Sequence, residues 1–130
     1  MRKSVTHSVE IEAEPDVVFG TIKEPRRLEG WAVDFVDAVE VDAENGAITA
    51  RKGDECFRLR MLDDASTRTV DFLVGEASIG AYTRVLPTVG TGCVVTFTQP
   101  VPPDEDGRAA AERTVKAELR ALKTMVEHAP

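Results

Sequence analysis

Two histidines, His7 and His128, are the side chains whose ordinary pKa lies near neutrality. His7 falls in the row Val5, His7, Val9 and Ile11, which alternates with Thr6, Ser8, Glu10 and Glu12. On that row it is placed to act as an acid or base inside the domain, or to sit as a core or rim histidine bonded to a neighbour. His128, close to the last residue, reads as solvated. Tyr82 is the single tyrosine. One strand parity points its hydroxyl inward to a polar group and the other packs the ring beneath the sheet's outer edge; Arg84 and Leu86 beside it do not decide. Arg58 and Arg60 alternate with Phe57, Leu59 and Met61, which puts the arginines on a wet face, whereas inverted parity would turn Arg58 inward as a carboxylate partner. Asp71 and Glu76 act as acids or bases only if buried, and neither has a second carboxylate at useful spacing.

Several chemistries have no signature. Cys56 and Cys93 form no CxxC pair and neither has a histidine nearby in sequence, so zinc and thiol-redox sites are not indicated. Both read as small buried thiols that stay unpaired in a reducing compartment. No phosphate-cradling glycine loop and no Gly-x-Ser-x-Gly element occur. No metal and no cofactor are therefore expected. A net charge of −7 argues against a nucleic-acid partner, which would select a basic surface. Arg113, Lys116, Arg120 and Lys123 make a basic stripe that could steer an anionic ligand or headgroup. With Glu112 four residues before Lys116, it reads instead as solvated stems along the sheet rim.

These side chains need elements to position them. At 130 residues with 42% apolar and 30% charged positions, the chain suits one soluble core spanning 1–130. No apolar run approaches a membrane span. Met1-Arg2-Lys3-Ser4-Val5 turns to polar alternation without a signal-peptide core, so a cytoplasmic location is expected. The alternation at 4–12 predicts a half-buried strand. Pro15 and Asp16 open a short helix over 15–23, and a second helical turn over 25–30 ends at Gly30-Trp31. From 35 to 99 the chain reads as about six strands: one through Phe35, Asp37, Val39 and Val41; Ile48 to Arg51 after the Asn45-Gly46 hairpin signal; Cys56 to Leu62 before a turn at Asp63-Asp64; Val70 to Val74; Ile79 to Leu86; and Cys93 to Gln99. Prolines at 100, 102 and 103 make a stiff connector. The run 104–128 is rich in helix formers, and Ala111, Val115, Leu119, Leu122 and Val126 make one apolar stripe along about 37 Å of helix.

This order of elements resembles the helix-grip fold of the START-like (SRPBCC) superfamily, with its polyketide cyclase/dehydrase, Bet v 1-like and Hsp90-activator-like branches. The resemblance rests on Val9-Glu10-Ile11-Glu12-Ala13-Glu14-Pro15-Asp16-Val17-Val18-Phe19 as the strand, alanine-x-proline corner and first helix. Trp31 near the next helix and the hairpin from Tyr82-Thr83-Arg84-Val85 to Gly92-Cys93-Val94-Val95-Thr96-Phe97 add to it. It implies an α+β fold, a curved seven-stranded antiparallel sheet (β-α-α-β6-α) on a long C-terminal helix, and a cavity between them beneath Trp31. The use it implies first is binding of a small apolar or aromatic molecule without obligatory catalysis, in a monomer or homodimer. Trp31, Phe57, Phe72, Tyr82 and Arg84 would be ligand contacts, with His7 as a polar one; each aromatic serves equally as core or anchor. The alternatives are a cyclase/aromatase-like enzyme in which His7, Tyr82 or Arg84 moves protons, and an Hsp90-activator-like protein-interaction module.

Overall fold

The computed structural model describes residues 3–77 and 80–128. Ile79, expected to open the fifth strand of the block, lies outside the described residues. In chain order the elements are β1 (Ser4–Ile11), α1 (Pro15–Ile22), a 3-10 turn (Pro25–Arg27), α2 (Leu28–Trp31), β2 (Ala38–Val41), β3 (Ile48–Lys52), β4 (Glu55–Asp64), β5 (Thr69–Val74), β6 (Ala81–Pro87), β7 (Cys93–Pro100) and α3 (Glu105–Glu127).

Strands β2 to β7 form an antiparallel meander, and β1 closes the sheet beside β7, giving the order β1-β7-β6-β5-β4-β3-β2. The β1–β7 pairing runs full length, from Ser4 opposite Pro100 to Ile11 opposite Cys93. Between β1 and β2 the chain crosses from one sheet edge to the other, and α1, the 3-10 turn and α2 fill that crossing. Period-two patterning decides the inward rows. Ile11, Ala50, Leu59, Val70, Phe72, Val85, Val95 and Phe97 are buried on one face, where they meet Val115, Leu119, Leu122 and Val126 of α3. The expected stripe is therefore the face the sheet grips, although Ala111 at its start is only half-buried.

Helix α3 begins where the proline connector ends. The Asp104 carboxylate accepts the Gly107 amide at 2.6 Å, and Glu105 and Asp106 face the positive end of the helix dipole. At the far end the His128 amide donates to the Thr124 carbonyl.

Three local expectations are corrected. The strand through Phe35 and Asp37 starts only at Ala38, because the Phe35 and Val36 amides bond back to the Ala32 carbonyl and wind residues 32–36 onto the end of α2. Asp63 and Asp64 belong to β4 rather than to a turn. Asp64 pairs with Thr69, and its carboxylate anchors the following turn by accepting the Ser66 amide and hydroxyl. Cys93 is buried but Cys56 is exposed, since Phe57 and Leu59 take the inward parity of β4 and turn Cys56 outward.

Candidate functional site

Helix α3 lies along β1 and α2, with lighter contact to β7 and α1. Between it, α2 and the inner face of β5 to β7 remains a cavity of about 330 Å³. Its aromatic wall is Trp31, Phe35, Phe72 and Phe97; Thr114 and Glu118 of α3 face them, and Asp34 and Gln99 add polar edges. Trp31 meets Phe72 edge-to-face with centroids 6.2 Å apart, an arrangement aromatic quadrupoles favour. Gly80 forms part of the rim. A side chain there would run into the Phe72 carbonyl, so glycine is what lets β6 begin this close to β5.

Glu118 is the unusual residue. It is 3% exposed, and its Oε2 is buried without a hydrogen-bond partner, as is the indole Nε1 of Trp31. Loss of hydration pushes the Glu118 carboxyl up to about 7, with the Asp34 charge adding to the rise. The Asp34 and Phe35 amides and the Lys52 charge pull the other way without cancelling it. Lys52 is itself engaged, donating to the Val33 carbonyl at 3.0 Å and to Asp37 at 3.2 Å. At neutral pH Glu118 is thus divided between acid and carboxylate, facing an aromatic space.

Of the residues singled out in the sequence, Trp31 and Phe72 reach this cavity. Phe57 lies one layer back, tilted against Phe35 at 5.6 Å. His7 is half-buried on the inner row of β1, opposite Phe97, and its Nε2 is buried without a partner; it does not line the cavity. Tyr82 and Arg84 are brought to the other face. Thr83 and Val85 hold the inward parity of β6, so the two alternate residues are exposed, and the Tyr82 hydroxyl accepts the Gly80 amide at 3.2 Å. Arg58 is exposed, as its alternation with Phe57 and Leu59 implies. Arg60 is held along the sheet, donating to the Gly75 and Ala77 carbonyls at 2.8 and 2.7 Å. Glu118 escaped the sequence reading. The available signal was its spacing, three residues after Val115 and four before Leu122, which sets a carboxylate inside the apolar stripe.

The fold and its cavity are those of a helix-grip domain. The family model for polyketide cyclase/dehydrase and lipid transport proteins matches residues 2–127, and the chain belongs to that family. A START superfamily protein from Mycobacterium smegmatis superposes with a TM-score of 0.79 at 12% identity, covering 99% of this chain and 100% of that one. The Aha1 dimer structure from Colwellia psychrerythraea gives 0.70 at 18% identity, with 98% of each chain covered. The di-domain aromatase/cyclase BexL of the BE-7585A biosynthetic pathway gives 0.69 at 22% identity, covering 98% of this chain and 47% of BexL. No curated protein matches the sequence significantly. Such identities establish a shared fold across proteins of different use. Among the described residues, no helix is long and apolar enough to cross a membrane.

Proposed function

We propose that the chain binds a small apolar or aromatic molecule in this cavity, without obligatory catalysis, and that Glu118 and Trp31 fix its orientation. One observation carries the reading: two polar atoms with no partner, Oε2 of Glu118 and Nε1 of Trp31, belong to residues that wall an aromatic space of about 330 Å³. A buried polar group without a partner costs about 1–3 kcal/mol. A ligand that supplies the partner recovers that cost and buries its own apolar surface, the usual construction of a small-molecule site. The test is native mass spectrometry of protein purified from its own host, followed by Trp31 fluorescence against a panel of apolar ligands. A retained small molecule, or saturable change in the only tryptophan's emission, supports the reading. Absence of both removes it.

A second reading has its own observation. A carboxyl near pH 7 is matched to general acid–base work, and the family includes cyclases and dehydrases by description. A cyclisation needs one group to take a proton and another to return it. Among the described residues, Glu118 is the one proton-moving side chain deep in the cavity, with Asp34 exposed at its edge, while Tyr82 and Arg84 face away. Binding is therefore placed first. The protein-interaction alternative finds less support, because the exposed Leu62 and Tyr82 of the outer sheet face are parted by Asp71, and Val17 and Val89 lie on α1 and the β6–β7 connection.

A further inference from the structure

The charge lining of the cavity narrows the ligand class, an inference that rests on the binding reading above. Among the described residues, its wall carries two carboxylates, Glu118 and Asp34, four aromatic rings and no cationic side chain. We infer that the cavity selects an apolar amine, whose ammonium pairs with Glu118 against the faces of the surrounding aromatic rings, and rejects apolar carboxylic acids. A buried carboxylate without a counter-charge is a costly arrangement, and Glu118 is 3% exposed with Oε2 unpartnered. The protein supplies no dedicated cation to relieve it: Lys52 offsets the charge only in part, being engaged by Asp37 and the Val33 carbonyl. A ligand ammonium supplies that cation, and aromatic faces hold cations through their quadrupoles. A ligand hydroxyl satisfies one hydrogen bond but leaves the charge uncompensated. A ligand carboxylate adds a third negative charge.

The charged groups acting on Glu118 are Asp34, which raises its proton affinity, and Lys52, which lowers it. An ammonium in contact with Glu118 favours its ionised form, so amine affinity rises with pH across neutrality while the amine itself stays protonated. The experiment titrates three matched probes, 2-phenylethylamine, 2-phenylethanol and phenylacetate, into the intact protein at pH 6 and pH 8, following Trp31 fluorescence and calorimetry. At pH 8 the amine is expected to bind about tenfold or more tighter than the alcohol, as a charge-assisted contact requires, with phenylacetate weakest. The amine should tighten by nearly tenfold between pH 6 and pH 8, and the alcohol should not. Glu118→Gln should abolish the amine preference and keep alcohol binding. Alcohol binding as tight as amine binding, or an amine preference that survives Glu118→Gln, overturns the inference and leaves the cavity reading standing. If no probe binds at either pH, the amine inference falls, and the cavity reading falls with it only if native mass spectrometry and the ligand panel are also negative.

Discussion

Replacing Glu118 by glutamine should stabilise the protein, and only above a defined pH. The side chain keeps its shape and loses its charge. In the wild type the carboxyl has an ordinary value of 4.5 when exposed and about 7 in the fold, chiefly through lost hydration. The folded state therefore holds a proton that the unfolded chain has released between those values. By linkage, stability falls as pH rises through this window, and the full cost is present above about pH 7. At ~1.4 kcal/mol per pKa unit the ionised carboxylate costs the fold about 3 kcal/mol. Glu118→Gln should match the wild type near pH 4.5 and exceed it by about 3 kcal/mol at pH 8.5, or about 10 °C in Tm for a chain of this size. The assay is urea unfolding at half-unit steps from pH 4.5 to 8.5, followed by emission of the buried Trp31. Every other titratable side chain is common to both proteins, so the difference isolates Glu118. Asp37, Asp64 and Glu127 have carboxyls held below their ordinary values by hydrogen bonds and act at lower pH. A difference that stays flat with pH, or that grows toward acid, would refute the reasoning.

Other expectations follow from single contacts. Gly80→Ala should destabilise by about 1–3 kcal/mol, because the new methyl meets unyielding Phe72 backbone. Gly30→Ala should stay within about 1 kcal/mol of wild type, since it displaces only the mobile methyl end of Met125 and gains helix propensity; denaturant midpoints compare the pair. Asp104→Ala should cost about 1 kcal/mol by removing the cap on the Gly107 amide, and Asp104→Asn should restore most of it in thermal melts. Asp37 is held low first by the Gly53 amide and then by Lys52, so its contribution is present above about pH 4 and lost as pH falls below it. Asp37→Asn should flatten the acid limb of the stability curve without changing its neutral-to-alkaline limb, as measured by melts between pH 2.5 and 8.5.

How much of this was legible in the sequence depended on whether one residue's neighbours settled its direction. Val5 to Ile11, Phe57 to Met61 and Val115 to Val126 each carry an unbroken period, so their elements and inward faces could be read directly. The β6 segment could not, because Ala81, Thr83 and Val85 are scarcely more apolar than Tyr82, Arg84 and Leu86. Its parity is settled by pairing: Thr83 sits opposite the buried Phe97 and spends its hydroxyl on the Val70 carbonyl at 2.8 Å. That register sends Tyr82 and Arg84 outward, and no local pattern contains it. Phe35 mimics a strand row for a similar reason, since the Ala32 carbonyl that winds it back lies outside its own alternation, while the Asp37 amide already bonds the Arg51 carbonyl of β3. Glu118 is the opposite case. Its position within the stripe was visible, but on a helix crowded with Glu, Lys and Arg a charged residue reads as solvated surface. Only the arrival of Trp31 and the 32–36 turn over that helix face buries it. Trp31 and Phe72 could be read as core or cavity and prove to be both, because packing between α3 and the sheet leaves a space of about 330 Å³ beside them. The residue that gives this cavity its chemistry is thus the one whose local sequence argues for solvent, buried by an element that enters α3's neighbourhood from across the sheet.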